Sequence, residues 1–406
     1  MLFLAGWTLT DVRAEPQEIP PLCPSVVDAI EIHGLWRTAG FVVERELPWR
    51  PGDLVTPEAW DLGIQRLWNL GIFSRVGAHL ERRDHRVVAV FELEERWTVN
   101  VLLRFGFGGG ADWVRVGLWD INNLGRYLEA GGFYERFETH NGGEVWIRNP
   151  RLFDRRLDGQ VTAYQLARER PTYADVRTGL RFDLTQEQRD DIHYGVWTEG
   201  MLDSFLPGPP GENVQPGASK GIQFGTMARF GIVNTVRLRP TGWSIELRPS
   251  VTVTSSHANP VFGGVWLEWL WYRMVGERWT LAWRSQAGAQ SSSDPEFHYF
   301  MGGLDLIRGY ADNFIETRYF GLANLEVRFI AFDSTWFAVQ PAVFVDGALA
   351  RGLNDHTIGA LSAGVGVRFM IPRFVHSGLR VDAAFALAPL EPVGLNVLSV
   401  GVYQFF

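Results

Sequence analysis

The residue types that enzymes use occur in this 406-residue chain without the settings that their chemistry needs. Residues 106–111 (GFGGGA) imitate a dinucleotide-binding loop, but they lie between two predicted strands and no helix follows. Residues 217–221 (GASKG) spell a nucleophile elbow, but the strand and helix that would expose a strained serine are missing. The nine histidines are scattered without metal-ligand spacing. The sequence therefore predicts no catalytic residue, no cofactor and no metal site.

Residues 302–310 (GGLDLIRGY) contain the residues for a different chemistry, the binding of a carboxylate by an arginine. Gly302, Gly303 and Gly309 allow the backbone to turn sharply around Arg308, which precedes Tyr310. A guanidinium binds a carboxylate through two parallel hydrogen bonds, so this arginine can fasten the loop to an acidic residue elsewhere. Taken alone, the loop favours a solvated arginine over a buried ion pair.

The composition favours a protein whose surface suits aromatic side chains. Aromatic residues make up 13% of the chain, with 17 tryptophans, while mean hydropathy is −0.05. No run of 18 apolar residues occurs, which excludes transmembrane helices but leaves membrane-spanning strands open. A large soluble all-β protein is the alternative. The net charge of −8 argues against nucleic acid as a partner.

Alternating hydrophobicity extends from residue 98 to residue 406, in about sixteen segments of about ten residues divided by turn residues. The apolar positions of each segment would face lipid, and the polar positions would face a lumen. Asp346 and Glu326 fall on the lumen side. The pattern predicts a transmembrane antiparallel β-barrel of about sixteen strands.

The connections between these segments differ in length. With both termini on the same side of the membrane, even-numbered connections are short turns and odd-numbered connections are outer loops. Residues 201–221 are then the seventh connection, residues 240–242 a tight eighth turn, and residues 302–310 lie in the eleventh connection. The arginine loop is thus predicted on the outer side, where it can fold back into the barrel.

Residues 25–97 have the pattern of one small α+β domain in the order strand, helix, helix, strand, strand. Thr56, Pro57 and Glu58 are typical of a helix start, and Gly71 of the end of that helix. The remaining elements are predicted at residues 27–32, 38–46, 73–80 and 87–94.

The residues before this domain are predicted to be a truncated signal peptide over 1–14 and a linker over 15–24. An ordinary apolar terminus is the alternative for the first segment, because no basic residue precedes its apolar run. Cys23 is the single cysteine, so no intrachain disulfide forms, and its neighbours do not predict a lipid anchor.

The α+β segment resembles a POTRA domain, the periplasmic module of outer-membrane assembly and secretion proteins, at residues 50–53, 67–76 and 90–96. Residues 302–310 resemble the most specific motif of the BamA/TamA family, of the bacterial surface antigen type, and its two-partner secretion relatives. Residues 344–347 and 324–329 resemble two of its strands. This resemblance implies that Arg308 pairs inside the lumen with Asp346, either alone or together with Glu326.

The last ten residues, 397–406, are predicted to be a strand that ends in an aromatic residue. Phe406, Val402 and Val400 share one face, which resembles the C-terminal signal recognised by the barrel assembly machinery of bacteria. Gln404 departs from that pattern, because an aromatic residue is commoner there.

The family resemblance implies a location in the bacterial outer membrane, with the POTRA domain in the periplasm. The implied function is insertion or translocation of polypeptides, with a gate between residues 99–107 and 397–406. The implied partners are outer-membrane lipid, unfolded polypeptide clients bound by the POTRA domain, and a periplasmic or inner-membrane protein. The alternatives are a passive pore or structural barrel without insertase activity, and a dedicated two-partner secretion exporter.

Overall fold

A computed structural model describes residues 22–402 except 107–112, 138–139, 170–172, 207–217, 237–238, 256–258, 304, 312, 335, 354–355, 371–377 and 390–397. The signal-peptide prediction for residues 1–14, most of the linker and Phe406 lie outside the described residues. No helix in the described part of the chain is long and apolar enough to span a membrane.

A small α+β domain opens the described chain. Its elements are β1 (Ser25–Val26), β2 (Ala29–His33), α1 (Gly40–Glu44), β3 (Leu54–Val55), α2 (Pro57–Asn69), β4 (Phe73–Arg83) and β5 (Arg86–Glu95). The three-stranded sheet has the order β2-β5-β4, in which β2 runs parallel and β4 antiparallel to β5. The first helix and first strand are shorter than predicted, and the last two strands are longer.

Helix α2 packs on this sheet through one apolar stripe. The Thr56 side chain accepts a hydrogen bond from the Ala59 backbone N–H (3.3 Å), which satisfies a donor that the helix leaves without an internal partner. Trp60 and Leu67, seven residues apart, are buried against Phe91 of β5. Gly71 then adopts a φ of +71°, a left-handed conformation that ends the helix.

A single large antiparallel sheet occupies the rest of the described chain. Its strands are β6 (Val99–Gly106), β7 (Trp113–Asn123), β8 (Leu128–Phe137), β9 (His140–Asn149), β10 (Leu157–Glu169), β11 (Ala174–Arg189), β12 (Ile192–Leu206), β13 (Ser219–Val236), β14 (Arg239–Thr254), β15 (Val261–Val275), β16 (Trp279–Gln290), β17 (Tyr299–Met301), β18 (Ile315–Phe329), β19 (Phe332–Asp333), β20 (Ala338–Gly352), β21 (Thr357–Met370), β22 (Gly378–Ala388) and β23 (Leu398–Val402).

The strand order of the described sheet follows the order of the chain. The short strand β17 pairs with β18, and the short strand β19 pairs with β20. The long strands β16, β18, β20 and β21 also pair directly with one another in that order. Without these two pieces, the described sheet has sixteen strands in sequence, the number predicted from the alternating segments.

The two faces of this sheet are inverted relative to those of a soluble protein. On β20, Val343 and Val345 are 54% and 43% exposed, whereas Asp346 is fully buried. On β18, Leu325 is 40% exposed and Glu326 is fully buried. Apolar side chains therefore point outward and charged side chains point inward, the pattern of a sheet surrounded by lipid.

Two predicted connections are wrong in their bounds. Residues 240–242 are part of β14, where Pro240 pairs with Thr235 and Gly242 pairs with Val233; β13 ends at Val236 and β14 begins at Arg239. A proline fits a strand wherever its missing N–H is not needed by the ladder. The predicted loop 201–221 is shorter, because residues 201–206 continue β12 and Ser219 already begins β13.

Candidate functional site

The segment between β16 and β18 is the eleventh connection of the sheet. Within it, residues 302–303 and 305–310 lie against the inward-facing side of the sheet. Gly302 has a φ of +140°, and a Cβ there would lie 1.7 Å from the Ala311 carbonyl oxygen, so no other residue fits. Gly303 has a φ of +74°, and its N–H donates to the Tyr310 carbonyl (3.0 Å), which closes the base of the loop.

One side of the loop is apolar and packs against the sheet. Met301, Ile307 and Tyr310 are at most 1% exposed and form a cluster with Phe320 and Leu322 of β18. The inward-facing side of the sheet therefore binds the loop through apolar contacts. These contacts hold the neighbouring Arg308 on the inward-facing side as well.

Arg308 binds Asp346 through two parallel hydrogen bonds. The Nε–Oδ2 distance is 2.6 Å, the Nη2–Oδ1 distance is 2.7 Å, and the Arg308 backbone N–H also donates to Oδ2 (3.2 Å). Both side chains are almost completely buried, and the Phe344 ring lies 3.4 Å from the guanidinium carbon. Backbone and side chain thus hold the loop to one carboxylate on β20.

The other terminal nitrogen of the guanidinium, Nη1, contacts two further acidic residues. Arg308 Nη1 lies 3.1 Å from Glu326 Oε2 on β18 and 3.1 Å from Asp382 Oδ2 on β22. The same two carboxylates bind Arg368 of β21 at 2.7 Å each. The loop is therefore tied to three strands, and β21 completes the network across them.

This buried network, the arginine cluster, contains four arginines and three acidic residues: Arg308, Arg328, Arg368, Arg380, Glu326, Asp346 and Asp382. A buried charge without a partner costs several kcal/mol, so each member depends on the others. Removal of one member leaves each of its partners with one opposite charge fewer.

The loop is also held by neutral hydrogen bonds. The Asn324 amide donates to the Leu306 carbonyl (2.7 Å) and to Asp346 Oδ1 (2.8 Å), so it supports both the loop and its carboxylate. The Tyr310 hydroxyl lies 2.8 Å from the carbonyl oxygens of Leu361 and Ala388, on β21 and β22.

The sequence-predicted site residues Gly302, Gly303, Arg308, Gly309, Tyr310, Asp346 and Glu326 are all brought together here. Sequence reasoning did not assign Asp382, Arg380 and Asn324 to the site. The alternation on β22, where Arg380 and Asp382 are buried between half-exposed neighbours, is the signal that would have found two of them. Val400 and Val402 lie in β23 and pair with Val381 and Leu379 of β22.

The opposite end of the sheet contacts the α+β domain through charged residues. Arg151, in the connection between β9 and β10, binds Glu46 through two hydrogen bonds of 2.8 and 3.0 Å. Glu46 is 2% exposed. Tyr127, in the connection between β7 and β8, belongs to the apolar core of the α+β domain. The domain is thus packed on the second and fourth connections of the sheet.

Arg151→Ala is expected to loosen this contact, because Glu46 would remain buried without its two-pronged partner, at a cost of about 1–3 kcal/mol. Hydrogen exchange of residues 40–47 would rise several-fold in Arg151→Ala and stay unchanged in Arg155→Ala, an exposed arginine of the same connection. Equal exchange in both variants would show that the ion pair does not hold the domain.

Solved structures share this fold. BamA from Haemophilus ducreyi lacking POTRA domains 1–3 matches with a TM-score of 0.63 and 17% identity, over 93% of this chain and 83% of that chain. CdiB from Escherichia coli matches with a TM-score of 0.62 and 15% identity, over 94% and 77%. CdiB from Acinetobacter baumannii matches with a TM-score of 0.60 and 12% identity, over 93% and 73%. No family model and no curated protein matches the sequence.

The fold and the site define a class: a large antiparallel β-sheet protein of the barrel type whose eleventh connection folds inward on a buried arginine. Within this class the chain has the fold of BamA and CdiB, so the BamA/TamA resemblance predicted from the sequence is confirmed.

Proposed function

We propose that this chain is a β-barrel protein of the bacterial outer membrane that inserts polypeptides into the membrane or translocates them across it. Residues 98–406 form the transmembrane barrel, and residues 25–97 form a POTRA domain in the periplasm. The apolar outward face of the sheet and the fold shared with BamA support the membrane location.

The inward-folded loop is the observation that carries this proposal. A protein that must open for a client needs a defined closed state, and a loop fastened to three strands through one arginine can supply it. The arginine cluster provides that state, because Arg308 links the loop to β18, β20 and β22.

Two elements are suited to receive and pass the client. The strands β2 and β4 are the edges of the three-stranded sheet, where an extended client can add a strand. The last described strand, β23, lies beside β6, and we propose this seam between the first and last strands of the sheet as the lateral gate.

A dedicated exporter is the second candidate function, and the similarity to CdiB supports it. Depletion of the protein separates the candidates. An insertase predicts lower amounts of several other outer-membrane β-barrels, measured by quantitative proteomics of outer-membrane fractions. An exporter predicts the loss of one secreted substrate while other barrels keep their amounts. If neither changes, the chain is a passive or structural barrel and the proposal is wrong.

A further inference from the structure

Three large apolar side chains are exposed where the α+β domain joins the sheet. Trp36 is 67% exposed, Trp97 is 65% exposed, and Leu124 is 76% exposed. The other tryptophans of the domain show that it has a core for such residues, since Trp49 and Trp60 are 4% and 1% exposed. The exposed side chains, here named the junction patch, are therefore left outside a core that is already filled.

Arg37 contacts the chain next to each member of the junction patch. It follows Trp36 in the chain, and its guanidinium donates to Thr98 Oγ1 (2.9 Å), the residue after Trp97. Its carbonyl oxygen lies against Gly125, the residue after Leu124, where an added Cβ would approach to 2.0 Å. The Ala39 N–H donates to the Gly125 carbonyl (2.8 Å), which fixes this contact from the domain side.

At Trp97, the junction patch continues the outward apolar face of the sheet. Thr98 is 4% exposed, and its carbonyl accepts a hydrogen bond from the Ile121 N–H (3.3 Å), so the pairing of β6 with β7 begins before Val99. Along β6, the outward residues Val101 and Leu103 are 67% and 42% exposed. Alternation places Trp97 on this same face, at the end of the strand that meets the domain.

Tryptophan prefers the boundary between hydrocarbon and water, because its ring is largely apolar and its N–H still needs a polar partner. From this continuity we infer that the junction patch inserts into the interfacial layer of the periplasmic leaflet and docks the α+β domain on the lipid surface. The partner is thus the bilayer itself. This inference rests on the proposed membrane barrel, and it places the docked domain next to the seam strand β6.

A fluorophore attached to single cysteines tests the inference in the full chain. In a Cys23→Ser background, the environment-sensitive dye NBD is attached to Trp36→Cys or Trp97→Cys, and the protein is reconstituted in phosphatidylethanolamine/phosphatidylglycerol vesicles. Two control positions are Leu118→Cys, on the outward face of β7, and His85→Cys, in the exposed turn between β4 and β5. Two sets of lipids carry a nitroxide quencher: one near the headgroup, which quenches a dye at the interface, and one along the acyl chain, which quenches a dye on the lipid-facing wall of the sheet.

Docking predicts that the dyes at positions 36 and 97 are quenched several-fold more strongly than the dye at position 85. If they are quenched no more than position 85 while position 118 is quenched, the barrel is in the bilayer and the inference is wrong. If position 118 is not quenched either, the proposed membrane barrel itself fails. The NBD emission at position 36 could also shift because a second copy covers the dye. A shift that nitroxide lipids do not quench, and that disappears when the protein is diluted among vesicles, would show contact with a second copy and would also overturn the inference.

Discussion

Arg308→Ala is expected to release the loop of residues 302–310 from the inner wall and to raise the conductance of the reconstituted barrel. The change leaves Asp346, Glu326 and Asp382 with one positive partner fewer, in a site where all three are at most 1% exposed. Removing one partner from a buried ion pair typically costs about 3–5 kcal/mol of unfolding free energy. Arg308 is therefore expected to be one of the most sensitive positions in the chain.

Single-channel recordings in planar bilayers and heat-dependent unfolding in detergent measure the two effects. Arg189→Ala is the matched control, since Arg189 forms an ion pair with Asp191 on an exposed connection. The charge swap Arg308→Asp with Asp346→Arg is expected to restore only part of the loss, because residue 308 would then repel Glu326 and Asp382. Wild-type conductance and stability in Arg308→Ala would contradict the role given to this side chain.

Glu326→Ala is expected to produce the second large loss. This fully buried carboxylate binds Arg308 at 3.1 Å, Arg328 at 2.8 Å and Arg368 at 2.7 Å. Without it, three buried guanidinium groups keep their mutual repulsion and lose a shared counter-charge. We expect the unfolding free energy to fall by about 3–5 kcal/mol, with the loop loosened as well.

The unfolding temperature of the folded band on semi-native gels reports this change. Glu277→Ala serves as the control, because Glu277 is an exposed residue in the connection between β15 and β16. A Glu326→Ala protein as stable as the Glu277→Ala protein would mean that the arginine cluster contributes little to the barrel.

Much of the fold follows from the period of the sequence, since a strand buried on one face repeats every second residue. Val343, Val345 and Asp346 show this directly: their order alone assigns two side chains outward and one inward, as the structure has them. The positions of turns are harder to predict from the sequence, because proline and glycine mark bends without showing which strand lies opposite. Pro240 and Gly242 therefore indicated a turn, although both pair with β13 inside the sheet.

The partners of Arg308 were predictable only in part. Asp346 and Glu326 follow from the family resemblance and from the facing of their strands. Asp382 lies 74 residues from Arg308, and the contact exists only because the sheet curves until β22 approaches the loop. A one-dimensional pattern assigns a residue to a face, but it does not tell which inward residues meet across the interior.

Labelling of a cysteine on intact cells tests most directly whether Arg308 holds the loop inside the barrel. Ile307 is fully buried beside Arg308, and Pro260 is exposed in the connection between β14 and β15. In a Cys23→Ser background, Ile307→Cys should resist a membrane-impermeant maleimide, whereas Pro260→Cys should react. Adding Arg308→Ala should make Ile307→Cys reactive and leave Pro260→Cys unchanged. A cysteine at position 307 that reacts equally with and without Arg308 would contradict the central claim.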